Sequence, residues 1–335
     1  MRSCIYFEEI PNSEIHTCFK FDRCKLKDGD ADIPSCNKCK QKLLLDDKDF
    51  LSKWEDPVRI LDRKKNPTDS LRNLLAGTPA FLIGGGPSSN DLPLEELSRR
   101  GVWSMGINNV AAHPRIRPQA FVCSDPPMKF SHSIWLDPGI MKFVPIPKLS
   151  RGYRGKVRQK TEDGSFVTLD QRTEDCPNVW AFKRESWFTP TNDFFLTDGV
   201  CWGNHKSGVA KTGREKVVCT MFLGMRLLRY LGCSKLFLLG VDFLMADGYG
   251  YSFNQARDAD ACNSNNEHYL VVNKWLCEMQ AAGVFERFGM PVYNCFERSG
   301  LRAFPYVPFD EAVDECCGIV EREPNISRFY EKVDK

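Results

Sequence analysis

Three consecutive glycines and two serines follow a short apolar run in the segment FLIGGGPSSNDL, residues 81–92. Glycine is favoured where the backbone adopts left-handed angles or approaches another group closely. The segment is therefore either a tight turn between a strand and a helix, or a loop that binds a nucleotide phosphate or sugar. In the second case the binding residues are Gly84, Gly85, Gly86, Pro87 and Ser88.

This glycine turn does not match the common phosphate-binding motifs. It is neither G-x-G-x-x-G nor G-x4-G-K-[ST], and no lysine follows it to contact a phosphate. These differences argue against a P-loop kinase. An NAD-binding domain is also disfavoured, because asparagines rather than an acidic residue end the next predicted strand.

The segments around the glycine turn predict a βαβ unit. AFLI (80–83) is typical of a buried strand, LPLEELSRRG (92–101) of a short helix, and VWSMGINN (102–109) of a second strand. AFVCSDPP (120–127) predicts a third strand. Ligands of such sheets bind at the carboxyl ends of the strands. The candidate binding residues at these ends are Asn108, Asn109 and Asp125.

Helices and apolar strands alternate again in the second half of the chain. Residues 214–232 and 268–289 have apolar residues at helical spacing, while KLFLLGVDF (235–243) and MPVYNCF (290–296) predict strands. This alternation predicts an α/β fold with a mainly parallel sheet. Asp242 lies near the end of a predicted strand, where it is either a nucleotide ligand or a turn-capping residue.

Histidine suits general-base catalysis because its usual pKa is about 6.5. The chain has five histidines, and His268 lies at the predicted beginning of a helix. A helix N-terminus lowers the pKa of a histidine and favours the neutral base. His268 is therefore a candidate general base, and the alternative is a polar residue of the first helical turn.

Composition restricts the class of protein. The chain has 335 residues and a formal net charge of only +2, which argues against a strongly basic DNA-coating protein. No apolar run is long enough to span a bilayer, and the N-terminus lacks the apolar core of a signal peptide. We therefore expect a cytoplasmic protein with no membrane partner. The fifteen cysteines are then mostly buried free thiols.

Four cysteines near the N-terminus have spacings that fit a structural zinc site. Cys36 and Cys39 form a C-x2-C pair, and Cys18 and Cys24 form a looser C-x5-C pair eleven residues earlier. Cys4 and His16 are alternative ligands for the same site, and the alternative to a zinc site is a set of free surface thiols. Seven lysines and arginines flank the pairs, which is compatible with binding of nucleic acid or protein, or with a solvated surface.

These patterns divide the chain into four parts. Residues 1–45 are the zinc-binding module, and 46–78 are a polar connector in which 69–76 predict a helix. Residues 79–310 form the α/β domain. Its lid-like insertion over 128–206 carries a run of basic residues and is either a solvated loop or a lid over an anionic substrate. Residues 311–335 form a C-terminal tail.

Several blocks between residues 207 and 310 resemble a known family. They read SGVAKTG, MRLLRYLGCSKLFLLGVDF, YGYSF, SNNEHYLVVNKWL and MPVYNCFERSGLRAFPYV. They look like the second half of the bacterial sialyltransferases of glycosyltransferase family 42. They also resemble the related motility-associated glycosyltransferases and a 6-hydroxymethylpterin diphosphokinase. FLIGGGPSSNDL and GINN resemble the first half of the same family.

The resemblance implies a Rossmann-like, variant GT-A nucleotide-sugar-binding fold. It implies transfer of a sugar from a cytidine monophosphate donor without a catalytic metal. His268 takes the position of the family's general base, and Tyr251 that of a tyrosine that stabilises the leaving phosphate. Two positions depart from the family pattern: Gly85 replaces an asparagine, and Leu244 replaces the first tyrosine, for which Tyr249 is a substitute.

Three hypotheses follow for function. The first is a metal-independent glycosyltransferase. Lys206 and Ser207 are further candidates to stabilise its leaving phosphate. Its acceptor is a hydroxyl, for example on a modified DNA base brought by the zinc module. The second is a pterin-type diphosphokinase that uses ATP and Mg²⁺. The third is a non-enzymatic adaptor that binds nucleotides or nucleic acid.

Overall fold

The structure is a computed structural model that describes most of residues 60–318 and three short N-terminal strands. The described ranges are 7–8, 15–18, 25–27, 60–154, 157–160, 166–169, 171–185, 200–201, 219–245, 251–252 and 259–318.

Strands outnumber helices in these ranges. The strands are β1 (Phe7–Glu8), β2 (Ile15–Cys18), β3 (Lys25–Lys27), β4 (Ile60–Leu61), β5 (Pro67–Thr68), β6 (Pro79–Ile83), β7 (Ser104–Ile107), β8 (Ala120–Val122), β9 (Met141–Pro145), β10 (Val157–Lys160), β11 (Phe166–Leu169), β12 (Val179–Phe182), β13 (Arg184–Glu185), β14 (Val200–Cys201), β15 (Lys235–Leu239) and β16 (Val292–Asn294). The α-helices are α1 (His132–Leu136), α2 (Ile146–Leu149), α3 (Thr220–Tyr230), α4 (Ala259–Ala281), α5 (Val284–Phe288) and α6 (Phe309–Cys317).

Nine strands form one sheet, in the order β16-β15-β6-β7-β8-β9-β12-β4-β5. All neighbours from β16 to β12 are parallel, and β4 and β5 add an antiparallel edge. From β6 the chain builds outward through β7, β8, β9 and β12, and it later returns to place β15 on the other side of β6. Strand order therefore reverses between β6 and β15, and open α/β sheets bind ligands at such a point.

The side chains of β6 alternate between two apolar layers. Leu82 packs on the face covered by helices α3 and α4, whereas Phe81 and Ile83 pack on the opposite face with α6. A third apolar cluster, around Phe121 and Trp135, lies under helix α1. All five residues of β6 are buried, because helices cover both faces of the sheet. The protein is therefore a mixed α/β fold with a large, mostly parallel sheet, which is compatible with the Rossmann-like class.

Several predicted boundaries differ from the structure. Residues 69–76 form turns rather than a helix, and the predicted helix over 92–101 shortens to the 3-10 helix Leu94–Ser98. Helix α4 begins at Ala259, nine residues before the predicted start at His268. Helix length was underestimated because the polar first turns of α4 carry no apolar periodicity.

The region expected to be a lid-like insertion contributes to the main sheet. Strands β9 and β12 both come from residues 128–206, and both pair in parallel. In the same way, β4 and β5 of the expected connector extend the sheet edge, and α6, expected in part as a tail, packs on β6. In β9 Lys142 and Pro145 interrupt the apolar run that would indicate a buried strand, and β4 and β5 have only two residues each.

The zinc hypothesis falls largely outside the described residues. Strands β1, β2 and β3 form a small antiparallel sheet in which Cys18 ends β2. Cys24, Cys36 and Cys39 lie outside the described ranges. Within those ranges, no helix combines the length and the apolar character that crossing a bilayer would require.

Candidate functional site

A cleft of about 1090 Å³ opens at the carboxyl ends of β6 and β15, where the strand order reverses. Most of the candidate residues from the sequence line this one cleft, although they come from six separate segments. Those that line it are Gly84, Gly85, Gly86, Pro87, Asn108, Asn109, Asp125, Asp242, Tyr251 and His268. Two further candidates, Tyr249 and Ser207, lie outside the described residues, as does Lys206.

The glycine turn crosses the backbone that follows β15 at very short range. The N–H groups of Gly84 and Gly86 donate to the carbonyls of Leu239 and Gly240, both at 2.7 Å. A Cβ added to Gly84 or to Gly86 would lie 2.6 Å from the Gly240 oxygen. Gly240 itself has a φ of +61°, which favours glycine. Gly84 and Gly86 are therefore required, because a side chain at either position would clash with the backbone that follows β15.

Asp242 joins the glycine turn after β6 to the turn after β15 through hydrogen bonds. The Ser88 backbone N–H donates to Oδ2 of Asp242 at 2.9 Å, and the Ser88 hydroxyl donates to Oδ1. Asp242 is 7% exposed. Burial raises the pKa of its carboxyl group, and the hydrogen bonds from Ser88 oppose this rise. The sequence predicted Asp242 to be either a nucleotide ligand or a turn-capping residue. In the structure its carboxylate caps the glycine turn at the wall of the cleft.

Asn108, Asn109 and Asp125 lie on the wall formed after β7 and β8. Asn108 has a left-handed φ of 56°, a conformation in which asparagine is several-fold enriched among non-glycine residues. Asn109 binds the backbone of the next wall segment: its Oδ1 accepts from Ser131 N–H at 3.2 Å. Asp125 is paired with Lys129 at 2.9 Å, and both side chains are largely exposed. Asp125 and Lys129 place one negative and one positive charge at the cleft margin.

Tyr251 is carried by a segment that is held from two sides. The N–H of Ser252 donates to the Gly85 carbonyl at 2.9 Å, and the Ser252 carbonyl lies 3.1 Å from Nε2 of His113. Nδ1 of His113 accepts from the Arg115 N–H at 3.2 Å, so Nε2 carries the proton in the neutral ring. Burial lowers the pKa of His113, which favours this neutral form. His113 therefore positions the Tyr251–Ser252 segment beside the glycine turn.

His268 lines the cleft from the third turn of α4, with its ring 6.4 Å from that of Tyr269. Because α4 begins at Ala259, stabilisation of a neutral imidazole by a helix N-terminus does not apply at this position. The predicted position of His268 at a helix N-terminus is therefore wrong, although the residue is partly exposed and lines the cleft.

A second helix directs its N-terminus to the cleft. Cys219, Thr220 and Met221, at the beginning of α3, all line it. Helix N-termini present unpaired N–H groups and partial positive charge. Burial raises the pKa of Cys219 to about 11, so its thiol stays protonated at neutral pH. The predicted helix over 214–232 contained this residue, but its start was placed too early to indicate an N-terminus at the cleft.

Three other residues of this region were not predicted from the sequence. His113 was interpreted as a connector residue, and Phe243 and Tyr269 were not selected although both line the cleft. The apolar strand pattern ending in VDF and the aromatic residue directly after His268 were the available signals. Among the described residues, no group of three or more His, Cys, Asp and Glu side chains is arranged to hold a metal ion.

Comparisons with known proteins give little further information. No protein-family model and no curated protein matches the sequence. One similar solved structure is the Maf glycosyltransferase from Magnetospirillum magneticum AMB-1, with a TM-score of 0.35 and 11% sequence identity. The match covers 84% of this chain and 43% of that chain, so this chain spans less than half of its length. A similarity this low carries no argument about family or activity.

Proposed function

We propose that the chain is a glycosyltransferase that moves a sugar from a nucleotide donor to an acceptor hydroxyl. The observation that carries the proposal is the convergence on one switch-point cleft of the glycine turn, Asn108, Tyr251 and His268. These are the residues to which the family resemblance in the sequence assigns donor binding and catalysis. Their meeting in space was not required by any single motif.

Donor binding is assigned to the β6–β15 side of the cleft. The glycine turn and the N-terminus of α3 both present backbone to it, and backbone N–H groups at helix N-termini favour phosphate. The Asp242–Ser88 hydrogen bonds hold the turn in one conformation, so that little ordering is needed when the donor binds. A cytidine monophosphate donor is the specific form that the resemblance implies.

The proposed reaction needs one proton transfer at the acceptor. The imidazole of His268 takes the proton of the acceptor hydroxyl while the acceptor oxygen bonds to the anomeric carbon of the sugar. The bond from that carbon to the nucleotide phosphate breaks, and the phosphate leaves with the electron pair. In this proposal the Tyr251 hydroxyl and backbone amides of the cleft stabilise its charge. The supporting observation is that Tyr251 lines the same cleft as the glycine turn.

A panel of nucleotide sugars tests this proposal. We expect one donor to raise the unfolding temperature of the protein and to be hydrolysed or transferred. His268→Ala should lower kcat about 100- to 10,000-fold and leave donor binding close to wild type. His132→Ala is the matched control, because His132 is exposed on α1 and does not line the cleft. Equal activity of His268→Ala and wild type would remove His268 as the base.

A second candidate is pyrophosphoryl transfer of the pterin type. It is favoured by the presence of two carboxylates, Asp125 and Asp242, on the walls of the same cleft. This candidate predicts consumption of ATP that depends on Mg²⁺ and that Asp125→Asn abolishes. Binding of nucleotide or DNA without turnover of any donor would instead favour the non-enzymatic hypothesis. The DNA-directed role of residues 1–45 stays a proposal, tested by deleting them and measuring transfer to polymer and to water.

A further inference from the structure

Phe243 has a left-handed backbone, with a φ of 52°. Among the described residues, no other aromatic residue has a positive φ. The left-handed region disfavours bulky side chains, because Cβ approaches the carbonyl oxygen. A glycine there would relieve this strain. The ring of Phe243 lines the cleft and stacks on Tyr269, with 4.7 Å between ring centroids and 22° between ring planes.

The backbone on both sides of Phe243 is held by hydrogen bonds. The carbonyl of Asp242 accepts from the Gly300 N–H at 2.7 Å and from the Ser299 hydroxyl at 3.1 Å. On the other side, the Asn266 side chain bonds both backbone groups of Met245: Oδ1 accepts from its N–H at 2.8 Å, and Nδ2 donates to its carbonyl at 2.7 Å. Surroundings of this kind maintain unfavourable backbone angles at ligand-binding sites.

The position of the stack indicates which part of a ligand it would contact. Phe243 directly follows Asp242, whose carboxylate is bonded to Ser88 of the glycine turn. Leu244 and Met245 follow Phe243 in the chain and line the same cleft, and His268 lies beside Tyr269 with 6.4 Å between the ring centroids. A near-parallel aromatic pair suits a flat ring, whereas the N-terminus of α3, which lines the same cleft, suits a phosphate.

We propose that the stacked rings of Phe243 and Tyr269 form the subsite for the nucleobase of a bound nucleotide. This inference rests on the proposed function only in taking the ligand to be a nucleotide. The base extends the stack by one more ring, and its phosphate reaches the glycine turn and the N-terminus of α3. Stacking of this type accepts any of the bases, so the platform contributes affinity and the groups around it select the base.

The proposal is tested by comparing two kinds of probe, a nucleoside monophosphate and the same sugar phosphate without a base. Dissociation constants are measured by calorimetry on the full chain for the four nucleoside 5′-monophosphates and for ribose 5-phosphate. Phe243→Leu keeps an apolar side chain against the core but removes the aromatic face. We expect it to weaken binding of the best nucleotide at least about fivefold and to leave ribose 5-phosphate unchanged.

Two companion variants separate stacking from folding. Tyr269→Phe keeps the ring and should bind like wild type, whereas Tyr269→Leu should weaken only the nucleotide. Phe243→Leu must retain the wild-type circular dichroism spectrum. If Phe243→Leu unfolds, the double variant Phe243→Tyr/Tyr269→Leu is measured instead. It keeps an aromatic ring at position 243 and removes the one at position 269.

Three outcomes would overturn the assignment. Equal weakening of both probes would mean that the rings act through the structure of the cleft. Wild-type binding of ribose 5-phosphate as tight as that of every nucleotide would mean that no base is contacted. Unchanged nucleotide binding in both Phe243→Leu and Tyr269→Leu would mean that the stack does not contact the nucleotide. Each probe experiment is independent of transfer activity, so loss of the subsite and failure of the glycosyltransferase proposal are distinguishable.

Discussion

Ser88 and Asp242 are 154 positions apart in the chain, yet the Asp242 carboxylate accepts hydrogen bonds from both the backbone N–H and the hydroxyl of Ser88. These bonds join the turn after β6 to the turn after β15. The switch-point cleft therefore has a wall whose two halves come from distant parts of the sequence.

Substitution of Asp242 should separate the capping role from the charge. Asp242→Ala removes both acceptors and should lower the free energy of unfolding by about 1–3 kcal/mol. Asp242→Asn should have a smaller effect, because its amide can accept from the Ser88 N–H and donate to the hydroxyl. Urea unfolding at pH 7 measures both, and an Asn variant as unstable as the Ala variant would contradict the capping interpretation.

The pH dependence of the same pair has a definite sign. Burial raises the folded-state pKa of Asp242 above its usual value, so the folded protein binds this proton more tightly than the unfolded chain does. The resulting stabilisation is fully present below the unfolded pKa of about 3.9 and is lost as pH rises through the raised folded value. Asp242→Asn should lack this contribution when the two proteins are compared from pH 4 upward.

Alanine at Gly84 or Gly86 tests the close backbone approach. Either Cβ would lie 2.6 Å from the Gly240 oxygen, so the two turns must separate. We expect each substitution to lower the free energy of unfolding by about 1–3 kcal/mol. Gly318→Ala is the matched control, because its nearest neighbour would be at 3.5 Å and its φ is −63°. Wild-type stability of Gly84→Ala would show that this contact is not required.

Acidification should weaken the segment that carries Tyr251. Burial lowers the folded-state pKa of His113, so the unfolded chain binds this proton more readily. Stability should therefore fall as pH decreases from about 6.5 towards the lower folded value, because protonated Nδ1 no longer accepts from Arg115. His113→Gln keeps a donor for Ser252 and should remove this part of the pH dependence. His132→Gln, at an exposed position, should not.

Lys142 holds three loop carbonyls inside the fold. Its side chain is fully buried, and Nζ donates to the carbonyls of Asp137, Ile140 and Pro177 at 2.6–2.8 Å. Lys142→Met keeps the volume but removes every donor, so we expect a loss of roughly 3 kcal/mol in unfolding free energy. The loss should appear in the urea midpoint.

A surface lysine provides the comparison for that variant. Lys235 pairs with Glu315 at 2.5 Å on a partly exposed surface. Lys235→Met should change the unfolding free energy by less than about 1 kcal/mol. Equal effects at the two positions would contradict the structural role of Lys142.

Much of the fold was predictable because its central strands are buried on both faces. The runs at 80–83 and 236–239 are continuous apolar segments, and the helix containing residues 220–230 has clear apolar spacing. Strands β9 and β12 were not predicted, because their neighbours are proline-rich and polar. The start of α4 was missed because its first turns bear few apolar side chains.

The sequence by itself determined the α/β class, the carboxyl-end position of most candidate residues and the presence of a glycine turn. Those properties depend on local apolar spacing and on residue type. Only the tertiary structure decided that Gly84 and Gly86 serve the contact with the β15 turn, that Asp242 caps Ser88, and that Phe243 stacks on Tyr269. Such contacts join residues far apart in the chain or depend on the direction of side chains, and no local pattern records either property.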